Sequence, residues 1–148
     1  MVGRGAPSDV TGQTKEGALI YGADKYVQLV GSRRLSTELG DLVETVNKAP
    51  QYGFRLDYAL DANGHPQNIY CRSDHASYAA WGIPVVFFTT GGHADYHQVT
   101  DEPQYIRYEH MALLDQMIFD LAVRVANLDH RLVVDGKKMA DPHGPCQQ

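Results

Sequence analysis

Ile83-Pro84-Val85-Val86-Phe87-Phe88 runs through two threonines into Gly91-Gly92-His93-Ala94-Asp95-Tyr96-His97-Gln98-Val99-Thr100-Asp101. The apolar run reads as a buried strand of an α/β sheet, and the segment behind it gathers two imidazoles, two carboxylates and a phenol at the strand's end. Open α/β sheets bind ligands in the crevice beyond the carboxyl ends of their strands. Histidine with carboxylate is also a donor set that zinc accepts readily. The fold and the chemistry therefore both turn on this stretch.

Working outward, the chain alternates between strand and helix periods. Tyr26-Val27-Gln28-Leu29-Val30 reads as a short strand. From Ser32, taken as an N-cap, Leu35, Leu39, Leu42, Val43 and Val46 recur at helical spacing until Pro50 closes the element. Phe54, Leu56, Tyr58 and Leu60 alternate with Arg55, Asp57 and Ala59 as a half-buried strand, and 61–67 reads as a turn. Ser73 opens a short helix that Gly82 ends. Leu113, Leu114, Met117, Ile118, Leu121, Val125 and Leu128 line one face of a long helix starting near Tyr105. Residues 3–24 read as loop, and the polar residues after Asp129 as a loose tail.

The predicted class is α/β, a partial three-layer αβα sandwich with about three strands and three helices. A mean sheet has roughly five or six strands, so strands are missing on the N-terminal side. Either a partner supplies them or the chain is part of something longer. The division expected is one domain over 1–131 and a flexible tail over 132–148.

Composition excludes several functions. The chain has 148 residues, a formal net charge of -5 and no Lys/Arg cluster, which argues against a nucleic-acid surface. No apolar run nears the ~20 residues of a membrane span. Met1-Val2-Gly3-Arg4-Gly5 lacks the apolar stretch expected of a signal peptide. Cys71 and Cys146 make no disulfide framework, and with Cys146 in a loose tail they are expected to stay unpaired.

His93, His97 and Asp101 stand at i, i+4 and i+8, which on a helix would share one face. The preceding glycines and Pro103 argue against a helix, so a loop would deliver one or two of them to a metal. His97 reads either as a metal ligand or as a hydrogen-bonded loop histidine, and His93 more simply as the latter. Tyr96 either donates to an oxyanion developing on a carbonyl or packs beneath the loop. In Arg72-Ser73-Asp74-His75, Arg72 is a carboxylate clamp or a solvated charge. Asp74 complements a helix dipole, and His75 is a supporting or a plain first-turn residue. A contiguous Ser-Asp-His triad is geometrically poor, because neighbours on a helix do not face each other.

Cys71-Arg72-Ser73-Asp74-His75, Gly82-Ile83-Pro84 and Tyr96-His97 with Asp101 together resemble the C-terminal half of the two-zinc aminopeptidases. That family includes secreted bacterial leucine aminopeptidases and, more distantly, glutamate carboxypeptidase-like proteins and glutaminyl cyclases. The resemblance runs from Met1 to about Arg131. It implies that His97 ligates one zinc, that Tyr96 polarises the scissile carbonyl and that Arg72 lies near the substrate. Asp101 would support the ligand or its loop, and Asp74 and His75 would be structural.

In that family the other ligands come earlier: a His, a bridging Asp, a Glu-Glu pair holding the general base, and an Asp in a strand that ends in Asp-Met-Val-Gly-Arg or something similar. This chain opens Met1-Val2-Gly3-Arg4. The resemblance thus implies that four of five ligands of a two-zinc centre, and the base, lie outside it. Two-metal hydrolysis needs an activated water, a base and a carbonyl clamp. The expectation is the C-terminal portion of a zinc aminopeptidase, inactive alone, holding zinc weakly or not at all, whose parent is exported and cleaves peptides. The alternatives are a non-catalytic association module and a self-contained metal hydrolase built on His93, His97 and Asp101. An exposed sheet edge or face predicts a homo-oligomer.

Overall fold

The computed structural model describes residues 2–5, 10–13, 19–21, 25–61 and 64–146. Its elements, in chain order, are β1 (Val10–Gln13), β2 (Leu19–Tyr21), β3 (Tyr26–Val30), α1 (Thr37–Asn47), β4 (Arg55–Asp57), α2 (His75–Ala80), β5 (Phe87–Thr89) and α3 (Tyr108–Ala126). Single 3-10 turns occupy Ala59–Asp61, Ile69–Cys71 and Pro103–Tyr105.

β3 is the centre of the sheet. It pairs in parallel with β4 and antiparallel with β5, giving the order β4-β3-β5. All five of its residues are buried, as a strand covered on both faces must be. Val27 and Leu29 point to one face, where Val43 and Val46 of α1 and Leu114, Met117 and Leu121 of α3 close over them with Phe88. Val30 points to the other face and meets Leu35, Leu60, Tyr70 and Ala79. The result is a small α/β unit with helices in two layers about a mixed sheet, a partial αβα domain. Full burial of a side chain such as Leu114 or Met117 stabilises by about 1.5–3 kcal/mol, so the α1–α3 face carries much of the fold.

Several elements differ from their sequence pattern, each for a local reason. α1 is capped by Ser36, whose Oγ accepts from the Leu39 N–H at 3.2 Å, and not by Ser32. Ser32 instead donates both its N–H and its hydroxyl to the Asp61 carboxylate. The 54–60 strand shortens to Arg55–Asp57, because Asp57 Oδ1 accepts from the Ala59 N–H and turns the chain into a 3-10 helix. The 83–88 run pairs only from Phe87 onward and lies at an edge. Pro84 has no N–H to offer a ladder, and the most buried strand is β3. In the segment expected to be loop, β1 and β2 form an antiparallel pair with an irregularity between Val10 and Gly12. Much of that segment lies outside the described residues.

The expectation of unpaired cysteines is overturned: Cys71 and Cys146 form a disulfide. The residues after Asp129, which composition reads as a loose tail, make specific contacts with the rest of the fold. His130 Nε2 lies 2.8 Å from Glu38 Oε1, the Val133 N–H donates to Glu38 Oε2, and the Thr37 N–H donates to Asp135 Oδ1. The Gly136 N–H reaches the Leu35 carbonyl at 3.0 Å. Val134 and Cys146 then pack beside Tyr70 and Ala79.

Candidate active-site loop

β5 delivers the chain to its carboxyl end at Thr90, which is buried, and Gly91 turns it with φ +90°. The loop behind it is a series of tight turns. The Tyr96 N–H donates to the His93 carbonyl, the Gln98 N–H to that of Asp95, and the Asp101 N–H to that of Gln98. His97 itself sits in the left-handed region at φ +62°. With this backbone, His93, His97 and Asp101 do not share a helical face.

Arg4 holds the loop down. Its guanidinium donates to Asp101 Oδ1 and to Asp95 Oδ2, each at 2.9 Å, with its own side chain only 11% exposed. Thr100 Oγ1 donates to the other Asp95 oxygen at 2.7 Å. The Thr100 hydrogen bond and then the Arg4 guanidinium hold the Asp95 carboxyl below the usual carboxylate range. Arg4 is carried on a segment that zips onto the entry of α3: the Arg107 N–H donates to the Gly3 carbonyl and the Arg107 guanidinium to that of Gly5. The loop after β5 is thus tied by ion pairs to chain more than ninety residues earlier.

Within this frame Tyr96 and His97 project outward. Both are exposed, and their rings stack at 3.9 Å with a 42° tilt. His93 lies behind them with a fully covered side chain, its Nε2 3.8 Å from Asp101 Oδ2 and its ring edge-on to Tyr96 at 6.1 Å. The Asp101 carboxylate is therefore shared between Arg4 and the neighbourhood of His93.

The second cluster lies at the start of α2. Arg72 and Asp74 are exposed, and Asp74 takes the cap position without a side-chain cap bond. His75 turns inward. Its ring stacks on Phe87 at 5.1 Å and meets Tyr70 edge-on at 5.9 Å. Burial pulls the basicity of His75 down, against a smaller opposing pull from the Tyr70 backbone. His75 thus packs α2 onto β5 just ahead of the loop.

Arg4 was not singled out from the sequence. It stands there only as the last residue of Met1-Val2-Gly3-Arg4, and only the pairing with Asp95 and Asp101 reveals its part. Among the described residues no group of three His, Cys, Asp or Glu side chains is placed to hold a metal ion. His97 and Tyr96 thus offer one donor and one phenol at an exposed face, short of the four ligands of a closed zinc site.

A family model described as Peptidase family M28 matches residues 9–122. No curated protein and no solved structure matches the chain.

Proposed function

This chain belongs to peptidase family M28, and on that premise we propose that it supplies one wall of a zinc-dependent aminopeptidase site. In this reading Tyr96 donates to the carbonyl oxygen of the scissile N-terminal peptide bond, His97 is one metal ligand, and Arg72 contacts the substrate end of the site. Asp101 positions the loop through Arg4, and Asp74 and His75 support α2. The observation that carries the reading is the exposed Tyr96–His97 pair, held on turns pinned by Arg4 at the carboxyl end of β5. A phenol fixed in this way is a preorganised donor, the kind that stabilises developing oxyanions.

The described residues do not by themselves fit a two-zinc centre, because only His97 offers an exposed imidazole at the loop and no three donor side chains are grouped among them. In this reading hydrolysis draws its remaining donors and its general base from beyond the described residues, and the described set is inactive by itself. A second reading, a non-catalytic association module, is favoured by one observation: among the described residues β4 and β5 each pair on one side only. Such edges recruit strands from other chains, a second copy included.

The test is an aminoacyl-amidocoumarin cleavage assay of the chain with added zinc, beside zinc analysis after desalting. The expected result is no cleavage above that of His97→Ala and no stoichiometric retained zinc. Cleavage abolished by His97→Ala would overturn the inactive-alone reading. Stoichiometric zinc lost on His93→Ala would point to a self-contained site instead.

A further inference from the structure

We propose that residues 129–146 form a redox-latched strap, closed by the Cys71–Cys146 disulfide and released as a unit when that bond is reduced. The proposal is independent of the peptidase reading.

The strap crosses segments that are otherwise far apart in the chain. At its root, His130 and Val133 meet Glu38 at the start of α1. At mid-length, Asp135 accepts from the Thr37 N–H, and Gly136 bonds the Leu35 carbonyl. Near α2, His143 stands edge-on to Trp81 at 5.4 Å, and the Lys138 stem lies over Gly82, where a Cβ would come within 2.9 Å of it. At the tip, Cys146 closes on Cys71 in the 3-10 turn before Arg72.

Apart from the disulfide, these contacts are single hydrogen bonds, ring edges and one aliphatic stem, and most of the residues that make them are partly or fully exposed. Exposed polar contacts of this kind contribute little each. The strap adds only Val134 and Cys146 as partly buried apolar groups to the cluster of Val30, Leu35, Leu60, Tyr70 and Ala79. The large cluster beneath α1 and α3 contains no strap residue. The covalent bond is therefore what keeps the strap down, while the main core stands without it. Both cysteines are partly exposed, so a thiol reagent reaches the bond.

Closure proceeds by thiol–disulfide exchange with a disulfide carrier. The Cys71 thiolate attacks a carrier sulfur, displacing the other carrier sulfur as a thiolate. The Cys146 thiolate then attacks Cys71 in the mixed disulfide and releases the second carrier thiolate. Two protein thiols are oxidised, one carrier disulfide is reduced to a dithiol, and two protons pass to it. A dithiol reductant reverses every step. Structural disulfides persist in oxidising compartments and are reduced in the cytosol, so the strap is closed in the former and open in the latter.

The test combines non-reducing peptide mapping with native-state trypsin digestion at Arg131, Lys137 and Lys138. The air-oxidised protein is expected to yield one crosslinked peptide pair containing Cys71 and Cys146, lighter by two hydrogens than the reduced pair. Dithiothreitol is expected to speed strap cleavage at least about tenfold while the far-ultraviolet circular dichroism is retained. Cys71→Ser/Cys146→Ser should digest at the reduced rate without reductant. Free thiols in the oxidised protein, or cleavage rates unchanged by reduction, would overturn the proposal. So would loss of helical signal on reducing the wild-type chain, which would make the bond a global staple. That last measurement keeps the proposal testable if the double variant does not fold.

Discussion

Gly136→Ala tests whether the strap seats on α1 as closely as the structure places it. A methyl at Gly136 would stand 2.7 Å from Leu35 Cα and closer still to the Arg34 carbonyl oxygen, both backbone atoms that cannot rotate away. Carbon atoms settle at about 3.5 Å or more, so the strap must recede by about 0.8 Å at Leu35 and further at Arg34. The Gly136 N–H to Leu35 carbonyl bond, 3.0 Å in the native chain, then stretches past hydrogen-bonding range. Loss of that bond costs about 1 kcal/mol. Displaced packing adds about 1–2 kcal/mol. At ~2–4 °C per kcal/mol for a chain of this size, the melting temperature should fall by roughly 5–10 °C. The strap cannot avoid this cost by leaving, since Cys146 tethers it. In a Cys71→Ser/Cys146→Ser background it can lift, and the same substitution should cost less, a coupling that a double-mutant cycle reads directly. Calorimetry of the four proteins is the assay. A Gly136→Ala variant melting within about 1 °C of its parent, with no coupling to the cysteines, would refute the close seating.

Arg4→Met keeps the aliphatic stem but frees Asp95 and Asp101. Amide exchange at Gln98 and Asp101 should accelerate while α1 and α3 keep their protection, and unchanged loop protection would remove Arg4 from the site's support. Ser36→Ala removes the N-cap of α1 and should lower stability by about 1 kcal/mol, read as a shifted urea midpoint at constant slope. Asp129 first, and then Glu38, hold the basicity of His130 above its ordinary value. Its contribution is therefore full below about pH 6.5 and is lost as pH rises through the raised value. Tryptic cleavage at Arg131 should speed up over that rise in wild type and stay flat in His130→Ala; parallel profiles in both would show that the root contact does not titrate.

The elements that were legible in the sequence are those whose side-chain period is also their packing period. β3, α1 and α3 declare themselves because Val27 and Leu29, Leu39 to Val46 and Leu114 to Leu121 bury faces that the period draws. Pairing is not written in composition. The apolar run at 83–88 says nothing of where β3 ends as its partner, and the alternation at 54–60 does not show that Asp57 will turn the chain. The loop's chemistry was legible as a cluster of residue types, but its tether was not. Arg4 contacts Asp95 and Asp101 only across the fold, and nothing in Met1-Val2-Gly3-Arg4 names those partners. The Cys71–Cys146 bond was hidden for a related reason. A polar tail looks unattached unless the acceptors at Leu35 and Glu38 and the donor at Thr37 are known to face it.

The left-handed backbone at His97 has an evolutionary consequence. Glycine visits that region at little cost, whereas a histidine there is strained by an amount of order 1 kcal/mol. Selection for stability alone would drift this position toward glycine. An imidazole retained at 97 among diverging descendants would then be kept against the thermodynamic gradient, and the residue spectrum at that one site would separate chains that still use the loop from chains that keep only the fold.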